Sequence, residues 1–135
     1  MNPILKNILA VITGCLVGSI VNISLVEIGH QILPMGIDTN NMEELAAILP
    51  TLSAEYFIFP FLAHALGTLV GALIAAKIAA NHKMKFALAI GGLFLLGGIM
   101  MTFMLPSPSW FIALDLILAY IPMAYLGGKF VLGKL

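Results

Sequence analysis

Four stretches of the chain stay apolar for as long as a helix needs to cross a bilayer: approximately Ile4 to Gln31, Tyr56 to Ala80, Phe86 to Leu105 and Trp110 to Phe130. A hydrocarbon core of about 30 Å takes roughly 20 residues at the helical rise, so each stretch predicts a span. The long first connection has a pattern of its own. In NNMEELAAIL, Met42, Leu45, Ile48 and Leu49 fall on one helical face and the acids fall elsewhere. Asn40 or Asn41 can cap its start, Glu43 and Glu44 suit the positive end of the helix dipole, and Pro50 ends it. The pattern predicts a short helix lying on the outer membrane surface. The last connection, LPSPSW, reads as a tight proline turn with Trp110 at the interface. The expected fold class is therefore all-α: an integral-membrane antiparallel four-helix bundle with a short amphipathic helix in the first outer loop, residues 1–135 forming one transmembrane domain.

Composition supports the bilayer. Of 135 residues, 61% are hydrophobic and 9% charged, more apolar surface than a soluble domain of this size can bury. The six Lys balance the six acids and there is no Arg, so nucleic acid is excluded as a partner. Lys6, Lys77, Lys83, Lys85, Lys129 and Lys134 all fall on one side of the expected spans, while the first outer connection carries Asp38, Glu43, Glu44 and Glu55. By the positive-inside rule the termini and the NHKMK connection are cytoplasmic. The first span is too long for a signal peptide. Ile12-Thr13-Gly14-Cys15 fits a lipoprotein cleavage box, but the LVGSIV that follows stays apolar where a lipidated protein begins a polar tether. Cys15 is the one cysteine and excludes internal disulfides.

Small residues recur at helical spacing. Ala10, Gly14, Gly18 and Asn22 make one stripe, Ala63, Gly67, Gly71 and Ala75 a second, and Gly91-Gly92, Gly97-Gly98, Ala124 and Gly127-Gly128 extend the pattern. In lipid such seams let backbones approach closely and supply packing contacts. They serve the bundle, a homo-oligomer or another membrane protein.

The few polar groups inside the spans carry the candidate chemistry. Descending from Tyr56, His64 lies roughly 12 Å deep, and Asp115, entering from the same side after Trp110, roughly 8 Å. An ionised Asp inside a span costs about 2.5 to 3.5 kcal/mol and usually faces inward with a partner. That partner is His64, a hydroxyl from Tyr120 or Thr68, or a bound ligand or ion. Glu27 and His30 lie near the outer end of the first span, with Asn22 and Ser24 deeper. The expected ligand or proton site is thus His64, Asp115 and Glu27, supported by Asn22, His30, Thr68 and Tyr120, against the alternative that His64 and Asp115 merely tie two helices together. Glu27-Ile28-Gly29-His30 is also an E-x-x-H, the spacing that lets a carboxylate and an imidazole address one metal. The second such motif of a dinuclear site is lacking. Glu27, His30, His64 and Asp115 make a conceivable mononuclear set for zinc, iron or manganese, but interfacial solvated groups are the ordinary reading and no metal or other cofactor is assigned.

The phrases FPFLAHALGTLVGA and SPSWFIALDLILAYIPMAYLGG resemble a group of small four-span bacterial inner-membrane proteins. The resemblance implies the fold and the inner membrane, with no activity attached. Small multidrug exporters do not fit, since their carboxylate lies in mid first span and Glu27 at its outer end. Fluoride channels have a dual or pseudo-symmetric topology that the lysines forbid. Three readings of function follow: a transporter-like or ligand-binding bundle handling a proton or cation, an accessory subunit recruited through glycine seams, and a metal-dependent membrane enzyme. No G-x-S-x-G is present and Cys15 has no partner, which argues against a hydrolase or thiol enzyme.

Overall fold

The computed structural model describes residues 1–133, so Lys134 lies outside the described residues. Helix α1 runs Pro3–Ile32, with Asn2 accepting from the Ile4 N–H at 2.8 Å and Pro3 in the first turn, where its missing N–H costs nothing. α2 is Met42–Ile48, and Asn41 caps it by accepting from the N–H groups of both Glu43 and Glu44. Two 3₁₀ turns, Leu49–Thr51 and Ala54–Phe57, lead into α3, Ile58–Ile78. α4 follows at Lys83–Met104, then α5 at Ser109–Leu118 and α6 at Ile121–Leu132. Four helical segments are long and apolar enough to cross a membrane, the last made of α5 and α6 together.

Two boundaries differ from the sequence pattern. α4 starts at Lys83 rather than Phe86, because His82 takes a left-handed conformation at φ 46° and turns the chain. The Lys83 ammonium reaches back to the Ala76 and Ala79 carbonyls at 3.0 and 2.8 Å and closes the C-terminus of α3. The fourth span is interrupted at Ala119 and Tyr120. The last backbone bond of α5 joins the Ala119 N–H to the Asp115 carbonyl, and the first of α6 joins Ala124 to Tyr120. Pro122 lies in the first turn of α6 and has no N–H to return to the Leu118 carbonyl.

α3 is the helix on which the others pack, touching α1, α4, α5 and α6. Its contacts with α1 join the two small-residue stripes. A methyl group placed on Gly14 would sit 2.7 Å from the Gly71 carbonyl oxygen, and one on Gly18 would sit 2.7 Å from that of Gly67. Gly127 of α6 meets the Leu69 carbonyl of α3 in the same way, and Gly91 of α4 meets Ala124. Most of the glycines are therefore spent inside the chain. The interior is built of Ala10, Ala63, Ala72, Ala75, Ala76 and Ala124, while the larger Ile4, Ile8, Ile12, Leu16 and Ile20 point outward along α1.

The molecule has two distinguishable ends. At one, Asn7 accepts from the Ala80 N–H at 2.8 Å and donates to Asn81 at 3.0 Å, and Met84 lies over Gly128. Lys6, Lys77, Lys83, Lys85 and Lys129 therefore share this lysine end. At the other, the loop end, Leu49 is buried with Phe57 and Phe111, and Leu45, Leu52, Phe61 and Leu105 pack around them. Of the apolar face of α2 only Leu45 packs against this cluster, while Met42 stays exposed. Phe57 also receives the edge of Trp110, ring centroids 5.4 Å apart.

Candidate functional site

His64 projects from α3 two turns after its start, and Asp115 from α5 four residues before the break. Their side chains meet: Nδ1 of His64 lies 2.8 and 3.0 Å from the two Asp115 carboxylate oxygens. Tyr120, at the break, donates its hydroxyl to Asp115 Oδ2 at 3.1 Å and lays its ring nearly parallel to the imidazole, centroids 5.8 Å apart. Gly98 of α4 makes the room, since a methyl there would come within 2.6 Å of the Tyr120 oxygen. Asp115 is buried with its side chain 7% exposed, while the His64 side chain keeps 27% of its surface.

That exposed edge faces a cleft of about 840 Å³. α1 and α4 form its walls, α3 and α5 its floor, and Met42 and Leu45 of α2 its rim. The cleft is blind toward the lysine end. Phe94 closes over Gly18, where a methyl would lie 2.8 Å from the ring, and Ile90 fills the space beside Gly14 and Gly71. Ile23 of α1 and Leu93 of α4 both line the cleft and are exposed.

The sequence-derived candidates distribute as follows. Asn22, Glu27, His30, His64, Asp115 and Tyr120 all line the cleft. Asn22 also continues the glycine seam, its Cβ lying 3.1 Å from where a Gly67 methyl would be. Glu27 is exposed, with a long 3.5 Å contact to Gln31 one turn on. Thr68 takes no part: it is fully buried and its hydroxyl donates to the His64 backbone carbonyl at 2.7 Å, the local bond a helical threonine makes with the preceding turn. The metal set does not assemble. Among the described residues no three His, Cys, Asp or Glu side chains gather closely enough to hold an ion.

Sequence reasoning missed the break and the wall. Pro122, two residues past Tyr120, is the signal for the first. For the second, Met100, Met101 and Met104 give a thioether surface along α4 that the hydropathy of the run conceals.

Chemically, a carboxylate that grips Nδ1 fixes the imidazole's orientation and leaves Nε2 on the open edge, facing the cleft. With Nδ1–H donated to Asp115, Nε2 presents a lone pair. On taking a proton there, the ring becomes a cation beside a buried carboxylate that also accepts from Tyr120. The arrangement can therefore hold one proton at Nε2 as an ion pair with Asp115 and, on releasing it, leave a carboxylate that is hydrogen-bonded by Nδ1–H and the Tyr120 hydroxyl but without a counter-charge. Comparisons of the chain with protein-family models, with curated proteins and with solved structures return no match.

Proposed function

We propose that the chain is a bacterial inner-membrane protein whose four spans form an antiparallel bundle, with the lysine end in the cytoplasm, and that it is a transporter-like ligand-binding protein rather than an enzyme. The pairings Gly14–Gly71 and Gly18–Gly67 support the bundle, since their numbering runs in opposite senses along α1 and α3. The clustered lysines support the orientation. Large apolar side chains outside and alanines and glycines inside suit a lipid surround.

The observation that carries the functional reading is the His64–Asp115–Tyr120 group at the floor of the cleft, beside an interrupted helix. An intramembrane ionisable group is costly and by default functional. Irregular backbone at membrane depth is tolerated where it is buried in protein or lines a water-filled cavity, and broken helices mark midplane sites in transporters. Of the seams named for the accessory-subunit reading, the α1 and α3 stripes face one another within the chain, while a methyl on Gly92 or Gly97 of α4 would meet nothing within 4 Å and these two stay open to a partner.

The test is the thermal stability of purified protein across roughly pH 5 to 8, the range in which a histidine-linked site responds. Wild type should show a pH-dependent change in stability that Asp115→Asn and His64→Gln both lose while remaining folded. Identical profiles in all three proteins would reduce His64 and Asp115 to a helix tie.

A further inference from the structure

Building on the proton-handling reading of the cleft, we propose that it selects amphiphilic organic cations, apolar in body and singly positive, and that each is exchanged for one proton at His64.

The first argument is the sign of the charge. Glu27 and Asp115 both line the cleft, no lysine does, and the described lysines gather at the opposite end. The groups facing His64 and Asp115 are Asn22, Glu27 and His30 from α1, Tyr56 ahead of α3, and Tyr120 at the break, while α4 supplies no titratable side chain to the lining. With the imidazole neutral, the His64–Asp115 pair carries one net negative charge in a low-dielectric setting, and a bound cation neutralises it. With Nε2 protonated the pair is neutral and that attraction is gone. One proton is taken up as one cation leaves, so the pair itself is never left with an uncompensated charge.

The second argument is the wall. A small hydrated ion gains nothing from Met100, Met101, Met104 and Phe94. An apolar body does: thioethers adapt to irregular shapes, and the Phe94 ring lines the same cleft. The third is shape. About 840 Å³ falls within the range of drug-sized ligand pockets, and Ile23 and Leu93, exposed on the lining, present an apolar edge to an entering ligand.

The test uses two ions of matched shape and opposite sign, tetraphenylphosphonium and tetraphenylborate, titrated into the purified protein in detergent at pH 8 and pH 5.5. Tetraphenylphosphonium should bind at pH 8 and weaken at least about tenfold at pH 5.5, a conservative figure for losing one opposed charge at close range. Tetraphenylborate should bind more weakly at both. Asp115→Asn should weaken the phosphonium ion and flatten its pH dependence. Gly97→Leu serves as the second variant: Gly97 lines the cleft and a methyl there meets nothing within 4 Å, so the side chain fills ligand space without disturbing packing. It should weaken binding whether or not Asp115→Asn folds. Equal affinity for the two ions, or unchanged binding in Gly97→Leu, overturns the proposal. If the ions bind equally while the ligand-free protein keeps a pH response that depends on His64 and Asp115, the cation class falls and the proton site stands. If that response is absent too, both fall.

Discussion

At the scale of single residues, the decisive feature is that His64 and Asp115 satisfy each other. Counting helical rise from the two ends placed them at similar depth, and they are in contact at 2.8 Å. Depth was legible because a helix advances by a fixed rise; azimuth was not, which is why Thr68, one turn below His64, read as an equal partner. Its hydroxyl is taken by the backbone of its own helix. Tyr120 was legible as a donor only by proximity, and its exact placement depends on the break. If the contact is energetically real, His64→Ala and Asp115→Ala should each destabilise the protein, and the double variant should cost less than their sum. The coupling should be about 0.6 to 1.7 kcal/mol, the span found for polar contacts within membranes. Strict additivity, measured by reversible denaturation in detergent, would show that each group leans on something else.

At the scale of elements, the four-residue recurrence of small side chains announced close packing but not which stripe met which. Only the three-dimensional structure shows α1 against α3, with glycines facing carbonyl oxygens. The consequence is that glycines of one sequence type have opposite tolerances. Gly18→Leu and Gly67→Leu drive side-chain carbons into the facing backbone and should destabilise by about 1 to 3 kcal/mol or more. Gly92→Ala should be neutral or stabilise by up to about 1 kcal/mol, since nothing lies within 4 Å of the added methyl and alanine is the better helix former. Thermal melts of the three variants would check this, and a destabilised Gly92→Ala would reveal a contact beyond the chain. The interruption of the fourth span was not read from the sequence because hydropathy runs unbroken across it. A proline removes a hydrogen bond without lowering the apolar character of the run.

At the scale of the whole molecule, the asymmetry between a tightly filled lysine half and a cleft-bearing loop half gives the protein a direction. The four long apolar helices and the short helix after Asn41 were legible because length and periodicity are strong signals. The packing of Leu45 and Leu49 with Phe111 was not, since that partner is far along the chain. In a Cys15→Ala background, cysteines at Asn40 and at Asn81 should label from opposite faces of intact cells, Asn40 from outside. Labelling of both from one side would undo the proposed orientation.

In the proposed membrane setting, the interrupted fourth helical segment also constrains how the protein is made. Split at Ala119 and Tyr120, it offers the insertion machinery two apolar rods of 10 and 12 residues, roughly 15 and 18 Å long and each too short for a core of about 30 Å. It also carries an aspartate that lipid rejects. The groups that shelter this segment, His64 and the Leu69 and Ala72 surface that receives Gly127, are synthesised before it. Membrane entry of the last span would thereby be a docking reaction onto helices already in place, and the chain would acquire an order of assembly from one missing N–H.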